Sequence, residues 1–153
     1  MSIGIAKPQL DEEEIAAVTR VIKSGMIACG PETALFEQEF ADFIGCKYAC
    51  AVNNGTAALS LALLACGIGP GDEVITPPNS FIASVSVIVH LGAKPVFVDV
   101  LSDQTMDPTL LEKSITKKTK AIMPVHLTGR ISEMNEINRI AKKYNVPVIE
   151  DAA

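Results

Sequence analysis

The stretch Gly71-Asp72-Glu73-Val74-Ile75-Thr76-Pro77-Pro78-Asn79-Ser80-Phe81 continues as Ile82-Ala83-Ser84-Val85-Ser86-Val87-Ile88-Val89-His90-Leu91. Glu73–Thr76 is a short apolar run bounded by glycine and proline on one side and by two prolines on the other, which predicts a buried strand. A proline has no N–H to give to a ladder, so the strand ends before Pro77 and Pro78. Phe81–Leu91 is longer than a buried strand and reads as a helix. Strand, loop and helix in this order are the repeating unit of the chain.

Working outward, Tyr48–Val52, Pro95–Val100, Ala121–Val125 and Pro147–Glu150 read as further strands. Thr56–Cys66, Pro108–Ser114 and Ser132–Tyr144 read as the helices between them, with Asp107 and Ser132 as helix starts and Asn145 as a stop. Strands alternating with helices predict βαβ units, hence an α/β fold with a mainly parallel sheet and helices on both faces. The residues before this alternation are helical in pattern. Asp11 and Glu14 form a capping-box start, Ile15, Val18 and Ile22 recur at helical spacing, and Gly25 stops the run. Pro31 opens a second helix lined by Leu35, Phe36, Phe40, Phe43 and Ile44 before Gly45. The expected organisation is an N-terminal helical segment over 1–45 and an α/β domain over 46–153.

Composition narrows the class. The chain has 153 residues, 48% of them hydrophobic, enough for one ordinary core. Its net charge of -5 and scattered basic residues exclude a nucleic-acid footprint. Cys29, Cys46, Cys50 and Cys66 form no CxxC pair and have no histidine at zinc-finger spacing, so no metal site is expected. Met1-Ser2-Ile3-Gly4 has no basic segment followed by an apolar one, so the expected location is the cytoplasm. Tyr48–Gly71 contains no charged residue, but Asn53-Asn54-Gly55-Thr56 interrupts it. That tract reads as strand, turn and helix buried in protein, and no membrane span is expected.

Ligands of open α/β sheets bind at the carboxyl ends of the strands, so the functional residues should follow the strands. Gly55-Thr56-Ala57 joins a strand to a helix, where free N–H groups and the positive end of the helix dipole suit a phosphate; a plain glycine turn capped by Thr56 is the alternative. Phe81 enters the next helix, its ring placed either over a flat heterocycle at the rim or in the core. Asp151 ends the last apolar run, where a bare carboxylate is costly unless paired. A protonated pyridine nitrogen is a suitable partner, and a cap for whatever follows is the alternative. His126 also stands at the rim, as a ligand contact or a hydrogen-bonded structural residue, and Asp99 serves substrate or turn.

Taken together these pieces resemble the DegT/DnrJ/StrS family of sugar aminotransferases. The resemblance is carried by Ser24-Gly25, Gly30-Pro31, Phe36-Glu37, Asn54-Gly55-Thr56-Ala57-Ala58-Leu59 and Gly69-Pro70-Gly71-Asp72-Glu73-Val74. It continues through Pro78-Asn79-Ser80-Phe81-Ile82-Ala83-Ser84, Gly92-Ala93-Lys94-Pro95-Val96-Phe97-Val98-Asp99, Pro124-Val125-His126-Leu127 and Val148-Ile149-Glu150-Asp151-Ala152-Ala153. It implies an incomplete large domain of a fold type I enzyme that depends on pyridoxal 5'-phosphate. Gly55, Thr56 and Ala57 would hold the phosphate, Phe81 would stack on the pyridine ring and Asp151 would bind its nitrogen. The family moves an amino group from glutamate to a nucleotide-linked keto sugar, as homodimers, in polysaccharide or antibiotic sugar biosynthesis. Met26, Ile27, Asn79 and His126 are the candidate substrate neighbours. Thr128 stands where an aromatic residue is common, and Arg130 where glutamine is common.

Transamination needs a lysine amine, as Schiff-base anchor and as proton carrier. Lys47 and Lys94 precede strands, Lys117, Lys118 and Lys120 lead into one, and Lys142 and Lys143 lie on the helix before the last. Lys7, Lys23 and Lys113 sit outside the rims as well. In the family the Schiff-base lysine follows the Asp-Ala-Ala segment. The resemblance therefore implies that it lies beyond Ala153, that the C-terminal part of the enzyme is absent, and that this chain is inactive alone. Two other readings stay open: a pyridoxal-phosphate sugar dehydratase of the same family, with histidine for the lysine, and a noncatalytic or regulatory protein with this fold.

Overall fold

The structure is a computed structural model that describes residues 7–153. The Met1–Gly4 segment, on which the absence of a secretion signal was read, lies outside the described residues. The chain falls into two compact units, one reaching to Ala51 and the other spanning Val52–Ala153.

The first unit holds α1 (Glu12–Ser24) and α2 (Pro31–Ile44). The capping box forms as the residues require: Asp11 accepts the Glu13 N–H, and Glu14 accepts the Asp11 N–H at 2.8 Å. Gly25 and Gly45 end the two helices at φ of 74° and 75°, a conformation that side chains resist. No residue of α1 is buried and α2 buries only Ala41, so Ile15, Val18, Ile22, Phe36, Phe40 and Phe43 are exposed.

The strand expected at Tyr48–Val52 does not form. The Ala51 N–H is taken by the Glu37 carboxylate at 2.8 Å, and the Tyr48 carbonyl accepts the Cys46 thiol. Backbone groups that a ladder would use are satisfied by side chains instead.

The second unit carries α3 (Gly55–Ala65), β1 (Glu73–Thr76), α4 (Ile82–His90), β2 (Lys94–Phe97), α5 (Pro108–Ser114), β3 (Thr119–Ile122), a 3-10 turn at Leu127–Gly129 and α6 (Met134–Tyr144). The strands are parallel in the order β2-β1-β3, with Ile75 of β1 opposite Val96 and Ile122. The expected strand at Pro147–Glu150 is present only as two parallel bridges, Ile122 to Val148 and Val125 to Asp151, tied by the Ile149 N–H to Ile122 O and the Asp151 N–H to Pro124 O, both 2.9 Å.

Alternation along β1 decides the layers, because successive side chains leave a strand on opposite faces. Val74 packs with Leu59 and Leu63 of α3 and Val87 and Ile88 of α4. Ile75 packs with Leu111 of α5 and Ile137, Ile140 and Ala141 of α6. Helices therefore cover both faces of a parallel sheet, as the strand and helix alternation predicts.

Two local expectations are corrected. Ser132 does not start the last helix, which begins at Met134; Ser132 is buried, its hydroxyl donating to Val125 O and its N–H to His126 Nδ1. The residue is used to tie down the rim, so it is not available to cap. Thr56 is not the cap of α3: Asn54 is, accepting the Ala57 N–H at 2.8 Å, and Thr56 lies one residue inside the helix. Among the described residues no helix is long and apolar enough to cross a membrane.

At the amino edge of the sheet the Thr116 hydroxyl donates to Glu73 at 2.6 Å, with Lys94 beside it, and together they hold the Glu73 carboxyl below its ordinary range. A carboxyl depressed in the native state contributes stability at pH above its unfolded value, and loses it as the pH falls through the folded value. The urea midpoint should therefore fall as the pH is lowered below about 4.3, the ordinary glutamate value. Glu73→Gln should flatten that acid limb; a variant with the same acid limb as the parent chain would show that Glu73 carries none of it.

Candidate active site

The carboxyl ends of β1 and β3 and the bridge at Asp151 face the first turns of α3 and α4, and there the second unit has a cavity of about 240 Å³. Gly55, Thr56, Phe81, Val125, Leu127 and Asp151 are among its lining residues. Four of the five sequence-predicted cofactor residues thus line one cavity although they span nearly the whole unit. The fifth, Ala57, sits in the first turn of α3 with its N–H occupied by the Asn54 side chain.

One wall is the start of α3. The first N–H groups of a helix have no acceptor within it, and with Ala57 committed to Asn54 the donors at this end come from Gly55 and Thr56. α3 contains no charged residue, so its positive end is offset by no carboxylate of its own. A Cβ added to Gly55 would meet Ala153 Cβ at 3.8 Å, an ordinary contact. The glycine therefore leaves a narrow space open toward Ala153.

Phe81 precedes α4 in extended backbone, φ -65° and ψ 145°, and the residue is 74% exposed. The core alternative for this ring does not hold. An apolar ring at the mouth of a cavity, uncovered by the rest of its unit, suits a flat ligand surface.

Asp151 is the buried charge of the site, 7% exposed. Its backbone is pinned between two segments of the rim, its N–H donating to Pro124 O and its carbonyl accepting the His126 N–H, each at 2.9 Å. Its carboxylate accepts the Ser84 hydroxyl on Oδ2 at 2.7 Å and, on Oδ1, a long bond of 3.4 Å from the Ala153 N–H. None of the ion pairs among the described residues includes it. Burial of a carboxylate with hydroxyl partners and no cation is costly, and a cationic N–H entering the cavity would complete it.

His126 is only 11% exposed in its side chain and both ring nitrogens are engaged. Nδ1 accepts the Ser132 N–H at 3.3 Å, which leaves Nε2 to carry the proton and donate it to Glu150 at 2.9 Å. The ring braces the turn that follows, where Thr128 is held at φ 55°. Asn79 is exposed in the loop before Phe81. Met26 and Ile27 are exposed in the first unit, and Met26 lines a separate depression there with Arg20, Ser24 and Pro31.

Ser80 and Ser84 have no role assigned from the sequence, although two serines at i, i+4 beside the start of a largely apolar helix are a usable signal. Among the described residues no lysine lines the cavity. Lys94 pairs with Glu73 at the amino edge of the sheet, and Lys143 with Glu112 between α5 and α6.

A helix start offering N–H groups, an exposed ring and a buried carboxylate lacking a cation fit the phosphate, ring and ring nitrogen of pyridoxal phosphate. Comparison with known proteins supports the cofactor. The chain is 48% identical over 147 residues to the spore coat polysaccharide biosynthesis protein SpsC of Bacillus subtilis, covering 95% of this chain and 38% of that protein. It is 48% identical over 139 residues to UDP-2-acetamido-2-deoxy-3-oxo-D-glucuronate aminotransferase of Pseudomonas aeruginosa, covering 90% of this chain and 39% of the relative. Among solved structures, NtdA of Bacillus subtilis, determined with its cofactor PMP bound, matches with a TM-score of 0.89 at 39% identity, over 92% of this chain and 33% of NtdA. This chain thus spans between 33% and 39% of the length of these relatives. Residues 8–153 match the DegT/DnrJ/EryC1/StrS aminotransferase family, to which the chain belongs.

Proposed function

We propose that the second unit is the pyridoxal-phosphate-binding part of an aminotransferase that moves an amino group from glutamate to a nucleotide-linked keto sugar. The observation that carries this reading is the meeting, in one cavity, of the N–H end of α3 with the buried, cation-free carboxylate of Asp151. The acceptor class is supported by the name of the Pseudomonas aeruginosa relative. Action as a homodimer in the cytoplasm is part of the same proposal.

Each residue has a task in this reading. Gly55 and Thr56 bind the phosphate through backbone N–H groups, and Ala57 joins them only if Asn54 releases its N–H. Phe81 covers one face of the ring and keeps water from it. Asp151 holds a proton on the ring nitrogen. Pyridoxal phosphate, when bound, supplies the electron sink for carbanion chemistry. Asn79, Met26 and Ile27 are proposed for substrate. His126 would join them only by giving up Glu150 or Ser132.

With no lysine lining the cavity among the described residues, the 153-residue chain by itself should not transaminate. Incubated with pyridoxal phosphate, glutamate and a UDP-linked keto sugar, it should form no amino sugar, while the whole protein should form it only when glutamate is present. Turnover by the isolated chain would sink the assignment of the proton-carrying lysine to another part of the protein. Absence of glutamate-dependent turnover in the whole protein would sink the proposed reaction.

A further inference from the structure

Ser84 is fully buried in the first turns of α4, and its hydroxyl donates to Asp151 Oδ2 at 2.7 Å across a sequence separation of 67 residues. Ser80 Oγ lies 2.7 Å from Ser84 Oγ. A hydroxyl has one proton to give, and that of Ser84 goes to the carboxylate, so Ser80 is the donor of the second bond. The two hydroxyls form a one-way chain, Ser80 to Ser84 to Asp151, with each dipole pointing at the carboxylate.

Such a chain fixes the rotation of the carboxyl, because a donor held at 2.7 Å by a buried helix residue sets where Oδ2 lies. It also occupies Oδ2, leaving Oδ1 with only the 3.4 Å bond from the Ala153 N–H. We infer that Ser84, supported by Ser80, is a positioning residue that holds the Asp151 carboxylate turned so that Oδ1 is the oxygen offered to a cationic ring N–H in the cavity. The inference rests on the cofactor reading above. No proton is passed along the chain: both serines keep theirs, and the proton shared between Asp151 and the ring nitrogen stays with that pair.

Among the described residues no charged side chain bonds to this carboxylate. α3 has no titratable residue, α4 has only His90 at its far end, and β3 has the exposed Lys120. His126 and Glu150 are bonded to each other.

The test uses the full chain and pyridoxamine 5'-phosphate labelled with 15N in the ring, following affinity and the ring-nitrogen shift against pH. In the parent chain the ring nitrogen should stay protonated to higher pH than in free solution. Ser84→Ala should lower that titration by about one pH unit and weaken binding roughly tenfold, the scale of one hydrogen bond to a charged group. Ser84→Thr keeps the hydroxyl and should restore both. Ser80→Ala should move both in the same direction by less, and gives a reading even if Ser84→Ala fails to fold. A parent chain that does not bind the compound overturns the cofactor reading and this inference with it. Binding that depends on Asp151 but has the same ring titration in the parent chain and in the Ser84→Ala and Ser80→Ala variants overturns this inference alone.

Discussion

Asp151→Asn should weaken binding of pyridoxamine 5'-phosphate to this chain by about thirtyfold or more, while leaving the empty chain as stable as before or more so. The two effects have opposite signs for one reason. In the empty chain Asp151 is a buried carboxylate held by the Ser84 hydroxyl and a long bond from Ala153, without a cation. An asparagine oxygen still accepts from Ser84 and removes a charge whose burial is costly. In the loaded site the same change leaves a cationic ring nitrogen facing a neutral amide, and removing one member of a buried charge pair costs about 2–5 kcal/mol, or some thirtyfold to several thousandfold. Calorimetric titration reads the first effect and the urea midpoint of the empty chain reads the second. Equal affinity in both proteins would remove Asp151 from the cofactor site. A large loss of stability would mean that the carboxylate is chiefly structural.

Ile75→Ala should be the most damaging single truncation in the second unit. Ile75 is fully buried on the central strand, between Val96 and Ile122 in register, and belongs to the core formed by α5 and α6. Truncating a buried isoleucine costs about 2–5 kcal/mol, and a sheet core closed by helices cannot collapse to fill the gap. Against a domain stability of about 5–15 kcal/mol the loss is a large share. Ile15→Ala, at an exposed position of α1, should stay within about 0.5 kcal/mol. Urea unfolding of the two variants separates the cases, and equal shifts would contradict the layer arrangement.

Much of the architecture was legible because its causes are local. Glycine and proline around Glu73–Thr76 fix where β1 begins and ends, Asp11 with Glu14 caps α1 through groups three residues apart, and Asp107 caps α5 through the Thr109 N–H. The rule that ligands sit at strand ends then pointed to Gly55, Thr56, Phe81 and Asp151, and the fold gathers these around one cavity. What was misread depended on partners elsewhere in the chain. Tyr48–Val52 has the composition of a strand but finds no strand to pair with, and composition carries no information about who lies alongside.

The site divides along the same line. Which residue types stand at the rim follows from the sequence, since strand, turn and helix starts are written in spacings of a few residues. Only the tertiary structure decided that Ser84 bonds to Asp151 across 67 residues, that His126 has both nitrogens engaged by Glu150 and Ser132, and that Phe81 is left uncovered. Those contacts are set by the register of parallel segments and the seating of helices on the sheet, which no local periodicity encodes.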